Sequence, residues 1–258
     1  MLGKIRFLGR YGLRELRARD SVEFKCMAKW MVVMQTAETP SVLALANASG
    51  VVDSCALGAL KRNSGDLAPK LSELLAKNGL GVSDIEAIAV SIGPGGYTGL
   101  RVGLASALAF TLVRGAKLLA IPTLEGLAWQ CPSDWTKARM VADALRGRFF
   151  MQDFAKGTDG WQAVSALELR FWNELEAPRS SIFSTQLAGP GIGRASAMGV
   201  SISPGAPSVP DVTGLWKAGC QRMAQNQYDN PAEVDILYGQ PSSAEEQWKK
   251  LHPGSQVN

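Results

Sequence analysis

Between residues 85 and 113 an apolar segment runs through a glycine-rich stretch into a long apolar one, and few folds accept that order. Ile85-Glu86-Ala87-Ile88-Ala89-Val90 predicts a short buried strand. Ser91-Ile92-Gly93-Pro94-Gly95-Gly96-Tyr97-Thr98-Gly99-Leu100-Arg101 predicts a turn, and Leu100, Val102, Leu104, Leu108, Phe110, Leu112 and Val113 predict a helix. Such a turn sets free backbone N–H groups at the positive end of the helix, a seat for an anion. The alternative is a tight turn that lets helix and strand approach closely, with Thr98 as N-cap. Standard nucleotide motifs are not met. No Lys follows the glycines as a Walker A loop requires, and Thr98 occupies the third glycine position of Gly-x-Gly-x-x-Gly.

The helix at 99–113 is apolar around nearly its whole circumference, so it needs cover on two sides. One side can lie on its own sheet. The other needs a second helix, a second domain or a partner chain, because each large side chain left in water forfeits about 1.5–3 kcal/mol.

The chain has 258 residues, 46% hydrophobic and 19% charged, enough for one large domain or two small ones. The formal charge of +4 permits nucleic acid nearby without demanding it. Lys4, Arg6, Arg10, Arg14, Arg17 and Arg19 carry much of the excess. Residues 1–30 are expected to form a poorly ordered basic extension. It reads as an RNA-touching arm, a targeting peptide or, by preference, an extension without a role ahead of Met27 or Met31. Cys26, Cys55, Cys131 and Cys220 are isolated, which argues against a zinc site or a disulfide framework and fits a reducing cytoplasm. The single histidine, His252, excludes a His-His metal site and argues against Ser-His or Cys-His catalysis. No apolar run suits a membrane span, and no signal-peptide core is visible at the N-terminus.

Met31–Ala37, Ser41–Ala46 and Val51–Ala56 predict strands with short connections, an antiparallel meander. Leu67, Leu71, Leu74 and Leu75 recur at helical spacing, with Ser64 or Asp66 as cap and Gly79 as stop. Lys117–Ile121 is a further strand, and Thr123–Trp129 a short helix. The first lobe, 31–131, is thus an α/β layer on a mixed sheet. A second lobe, 132–258, restarts the meander with a hairpin of 139–145 and 148–154 and a strand at 161–164. A helix near 166–175, a strand near 181–187, the turn Gly189–Gly193, a loop over 201–210 and a helix from Val212 to Gln225 follow. The tail from Ser242 reads as frayed.

The stretch Gly93-Pro94-Gly95-Gly96-Tyr97-Thr98-Gly99-Leu100-Arg101-Val102-Gly103 resembles the signature of the bacterial tRNA threonylcarbamoyladenosine biosynthesis family TsaB, also called YeaZ. Ile121-Pro122-Thr123-Leu124-Glu125-Gly126-Leu127-Ala128 resembles its next strand and helix. Asp143-Ala144-Leu145-Arg146-Gly147 resembles its Asp-Ala-Arg-Arg-Gly hairpin, and Leu237-Tyr238 with Pro241, Ala244 and Glu245 its C-terminal stretch. The resemblance implies a two-lobed actin/Hsp70/sugar-kinase-like fold with ribonuclease-H-like lobes, the second degenerate. It implies a cytoplasmic, non-catalytic scaffold that pairs with the catalytic TsaD and the ATPase TsaE to place threonylcarbamoyl on adenosine 37 of tRNA. Pairing in the family runs through the two first-lobe helices, as homodimers or with TsaD, and it puts Leu67, Leu71, Leu74, Leu75, Leu104 and Leu108 at the interface. Whether the chain meets tRNA itself or through the complex stays open.

Departures from the pattern bear on chemistry. Gln35-Thr36-Ala37 replaces the family's Asp-Thr-Ser, and a neutral amide is a poor ligand for a hard cation. Asn63 stands where a His is common. No metal, cofactor or catalytic residue is therefore expected. Arg101 reads either as a charge paired across the interface or near a phosphate, or as a side chain snorkelling to solvent. Asp143 and Arg146 read as an ion pair fixing the hairpin. The competing readings are a small-molecule kinase or ATPase of the same fold and, below it, a peptidase.

Overall fold

The computed structural model describes residues 6–7, 28–57, 64–175 and 185–238. The expectations for most of the 1–30 extension, for Asn63, for residues 181–184 and for the tail with Pro241, Ala244, Glu245 and His252 lie outside the described residues.

Strand β1 is Arg6–Phe7, and the first lobe starts with β2 (Met31–Gln35), β3 (Ser41–Asn47) and β4 (Gly50–Leu57). Helix α1 (Leu67–Lys77), β5 (Ala87–Ser91), α2 (Tyr97–Arg114), β6 (Lys117–Ile121) and α3 (Thr123–Ala128) complete it. The sheet order is β4-β3-β2-β5-β6. The meander β2–β3–β4 is antiparallel, as its short connections require, and β5 and β6 run parallel to β2. β2 and β5 are buried at every residue, which is why they read as continuous apolar runs rather than alternations.

The second lobe repeats the plan. β7 (Lys137–Asp143) and β8 (Arg148–Gly157) form the hairpin, and β11 (Gln186–Ala188) lies parallel to β7 as β5 does to β2. β9 (Gly160–Ala163) pairs with 154–157 of β8 and β10 (Leu167–Phe171) with 148–151, so the two share one edge. β1 closes that side, antiparallel to β10. The glycine turn after β11 leads into α4 (Ile192–Ala197), a six-residue counterpart of the 18-residue α2. This shortening is what makes the second lobe the degenerate one. The helix expected near 166–175 is instead β10 followed by a single 3-10 turn at Trp172–Glu174. Leu167, Leu169 and Phe171 alternate with Glu168 and Arg170, and that period of two decides against the helix-favouring composition.

Helix α5 (Val212–Ala224) comes from the second half of the sequence but packs on the first sheet and on α3. Asp211 caps it by accepting from Gly214 N–H at 2.7 Å. At the α3–α5 crossing a Cβ on Gly126 would lie 2.8 Å from Leu215 Cδ2, so this contact requires glycine.

Alternate residues of each strand divide the interior into layers. Met31 and Val33 join Leu124, Leu127, Leu215 and Ala218 with Met140, Phe150 and Phe154 of the second sheet, a core that holds the lobes together. Val32, Met34, Ile88 and Val90 face the opposite way, onto α1 and α2. Phe149, Met151 and Leu187 meet Trp172 and Ala195 on the far side of the second sheet. Among the described residues no helix is long and apolar enough to cross a membrane.

Candidate functional site: the glycine-rich loop and the outer face of the second helix

The loop between β5 and α2 folds onto the end of β2. Gly93 adopts φ +113°, a conformation L side chains rarely adopt, and a Cβ there would stand 2.6 Å from Leu237 O. A Cβ on Gly95 would stand 2.6 Å from Ala37 O. On Gly99 it would collide with Thr36 O, and on Gly103 with Thr36 Oγ1. Positions 95, 99 and 103 are four apart, so loop and helix present one bare stripe to residues 36–37. Gly96 N–H donates to Ala37 O at 2.6 Å, and Gly96 itself precedes the first helical residue, Tyr97. Thr98 therefore lies inside the first turn and is not the N-cap. Gly96 occupies the N-cap position, and no side chain caps the helix there. Pro94, buried, completes the loop. Of the two readings of the stretch, the geometry realises close approach.

At the end of β2 the Gln35 side chain is held by its own neighbours, while the buried Thr36 Oγ1 beside it has no hydrogen-bond partner among the described residues. Gln35, 1% exposed, donates from Nε2 to Pro210 O at 2.9 Å. Its Oε1 accepts from Ala37 N–H at 2.7 Å and Glu38 N–H at 3.3 Å. Thr36 N–H donates to Ser91 Oγ at 3.0 Å, which joins β2 to β5. An aspartate at position 35 could accept but never donate to Pro210, so the amide explains itself as a strut between β2 and the entry to α5. Burial pushes the neighbouring Glu38 carboxyl above its ordinary value.

Between the lobes lies a cleft of about 90 Å³, bordered by Pro94, Pro122, Glu125, Phe154, Ser165 and Leu237. Sites for small molecules run to roughly 300–1,000 Å³. Its one carboxylate is committed: Glu125 receives Arg222 Nη2 at 2.8 Å and Nε at 3.3 Å. Arg222, 7% exposed, also donates to Ala120 O at 2.9 Å and lies 3.5 Å from Asp229. This buried arginine joining α5, α3 and β6 escaped the sequence reading, since an arginine in an amphipathic helix gives no sign of which face it takes. Among the described residues no group of three His, Cys, Asp or Glu is placed to hold a metal.

The leucines expected at a partner interface are mostly taken up inside this chain. Leu67, Leu71, Leu74 and Leu75 of α1 and Leu104 of α2 are buried in the chain's own core. The physical reason is that a sheet buried on both faces claims its helices' apolar stripes first. Leu108 is half-buried. The surface left over on α2 is different: Arg101, Ala105 and Ala109 are exposed, and Leu112 and Val113 are 76% and 79% exposed. Leaving two such side chains in water is the unusual feature of an otherwise well-covered helix.

Arg101 is held rather than loose. Its Nε–H donates to Tyr238 OH at 2.6 Å, and its guanidinium lies 4.2 Å over the Tyr97 ring. The two tyrosine rings stack at 4.9 Å. In the hairpin, Asp143 accepts from Leu145 N–H at 3.1 Å and Trp172 Nε1–H at 3.3 Å and lies 3.6 Å from Arg194. Among the described residues these are the partners of Asp143, where the sequence predicts a pairing with Arg146; Arg146 adopts a positive φ beside Leu145.

The chain is similar to known proteins in sequence and in fold. The family model described as TsaD, tRNA N6-adenosine threonylcarbamoyltransferase, matches residues 50–163. The chain is 24% identical over 201 residues to the tRNA threonylcarbamoyladenosine biosynthesis protein TsaB of Escherichia coli (strain K12), covering 74% of this chain and 84% of that protein. It is 45% identical over 58 residues to the protein of the same name from Haemophilus influenzae, covering 22% of this chain and 23% of that one. A tRNA N6-adenosine threonylcarbamoyltransferase of Erythrobacter litoralis is 42% identical over 62 residues, covering 24% of this chain and 18% of the relative. Among solved structures, YeaZ from Pseudomonas aeruginosa matches with a TM-score of 0.69 at 18% identity, covering 82% of this chain and 100% of that one, a likeness of fold. The chain is thus similar to a TsaB protein along most of that relative's length, and its two-sheet fold is like that of YeaZ.

Proposed function

We propose that this chain takes part in threonylcarbamoyladenosine modification of tRNA as a non-catalytic subunit, and that it pairs with the catalytic TsaD-type subunit through the outer face of α2. The observation that carries the reading is Leu112 and Val113 left in water on a helix whose inner face is fully used. A partner that covers them recovers the hydrophobic free energy that the fold leaves unused. The likeness to TsaB-named and TsaD-named proteins supports a place in tRNA threonylcarbamoyladenosine modification, and the choice of a TsaD-type partner is part of the proposal. A TsaE-type ATPase belongs to the same proposal, as does pairing of two copies of this chain through the same face when the catalytic subunit is absent.

A kinase or ATPase reading of the same fold meets poor support in the residues present. A magnesium nucleotide needs a carboxylate near the end of β2, and that place holds Gln35 with both ends of its amide engaged. The cleft is small, and Glu125 is tied to Arg222. Two measurements test the proposal. Mixed with the TsaD-type subunit of its own organism, the chain is expected to elute as a complex, and alone it is expected neither to bind nor to turn over MgATP. Failure to form the complex, or magnesium-dependent turnover by the chain alone, contradicts the reading.

A further inference from the structure

Arg101 stands out among the exposed charges because it is immobilised and yet uncommitted. The stack on Tyr97 fixes the plane of its guanidinium, and the bond from Nε to Tyr238 OH fixes its rotation about that plane. Among the described residues neither terminal nitrogen has a hydrogen-bond or ion-pair partner. Asp235 is close enough to act on it electrostatically but spends a carboxylate oxygen on Ile236 N–H. The position is also unfavourable for a cation: Arg101 is the fifth residue of α2, near its positive end, and no acidic residue lies in the first turn to offset it. Two aromatic side chains and a hydroxyl are thus arranged to hold ready a group that the fold itself does not use.

We propose that Arg101 is a preset recognition group for a carboxylate on the protein that covers the outer face of α2. The inference rests on the pairing proposed above and names its polar anchor. A guanidinium already fixed in plane presents two N–H donors side by side and meets a carboxylate with little further loss of side-chain freedom. The surroundings favour a protein over a nucleic acid. Ala105, Leu108 and Leu112 follow Arg101 at spacings of four, three and four along one helix face, and α2 carries no second cation before Arg114. A phosphate backbone is gripped by several cations, since each contact contributes a share of the affinity. One arginine between tyrosines, bordered by apolar side chains, is the make-up of an interface hot spot.

The test is the affinity of the full chain for the TsaD-type catalytic subunit, measured by calorimetric titration at low and high salt. Arg101→Ala is expected to weaken binding about tenfold to a hundredfold, the range for a hydrogen-bonded ion pair, and to flatten the salt dependence. Arg101→Lys keeps the charge and the aliphatic stem over Tyr97 but not the fork, and it recovers only part of the loss. It also serves as the second variant if alanine disturbs folding. Tyr238→Phe removes only the hydroxyl and is expected to show a smaller loss with unchanged melting. Leu112→Glu separates this inference from the reading beneath it. If Leu112→Glu abolishes pairing while Arg101→Ala pairs with parental affinity, the carboxylate anchor is wrong and the interface stands. If the parent chain itself does not pair, the reading beneath fails. If Arg101→Ala pairs normally but weakens binding of tRNA, the group recognised is a phosphate and the proposal is overturned.

Discussion

An alanine at position 99 would place its methyl group against Thr36 O, although alanine favours a helix interior over glycine by about 1 kcal/mol. Here sterics outweigh propensity. Gly99→Ala is expected to lower stability by about 1–3 kcal/mol in urea unfolding, and a neutral or stabilising result would mean that the helix and residues 36–37 can move apart. Gln35 carries the opposite kind of constraint, a buried amide with both ends engaged. Gln35→Glu removes the donor to Pro210 and buries an acid, at an expected cost of about 1–3 kcal/mol, read from the same unfolding midpoint. Glu38 supplies a pH signature. Burial raises its pKa, so the folded state holds the proton more tightly than the unfolded state does. Its contribution is fully present at pH below the ordinary carboxylate range and is lost as pH rises through the raised value. Glu38→Gln should therefore raise the melting temperature at neutral pH and leave it unchanged in acid. An equal shift at both would remove burial as the cause.

Helices α1 and α2 show how an apolar surface is apportioned. The leucines of α1 are all on the sheet, so Leu71→Glu places a charge in the core and is expected to unfold the chain rather than to block pairing. Leu112→Glu changes an exposed position and should alter stability by less than about 0.5 kcal/mol while it disrupts pairing, checked by melting and by elution with the partner. The sequence distinguished α1 as one-sided and α2 as apolar all round, and both patterns are realised. It did not say which leucines a partner could reach, because periodicity locates a stripe but not the sheet that claims it. At β10 composition speaks for a helix and alternation for a strand, and alternation prevails. The glycine stripe at 95, 99 and 103 was visible as a run of glycines. Its contact with residues 36–37 was not, since nothing in the spacing reveals which backbone passes beneath. Arg222 belongs with these blind spots. Removing it takes a buried positive charge away from Glu125 and Asp229, and Arg222→Ala is expected to cost about 3–5 kcal/mol and loosen α5 from α3 and β6.

The whole molecule reads as two copies of one plan put to unequal use. Both sheets begin with a hairpin and add a strand parallel to the first, but only the first lobe keeps a long helix after its glycine turn. Helix α5 crosses back to the first sheet, and among the described residues the cleft between the sheets measures about 90 Å³. What the molecule offers instead is the outer face of α2, with Arg101 at one end and Leu112 and Val113 at the other. The proposed role therefore depends on whether this face makes a modification machine work. The decisive measurement is threonylcarbamoyladenosine formed in a purified reaction of tRNA, ATP, threonylcarbamoyl-adenylate synthase, the TsaD-type and TsaE-type subunits, and this chain as parent, as Leu112→Glu, or omitted. The account predicts product with the parent chain and little with the folded Leu112→Glu variant or without the chain. Equal product in all three would contradict it.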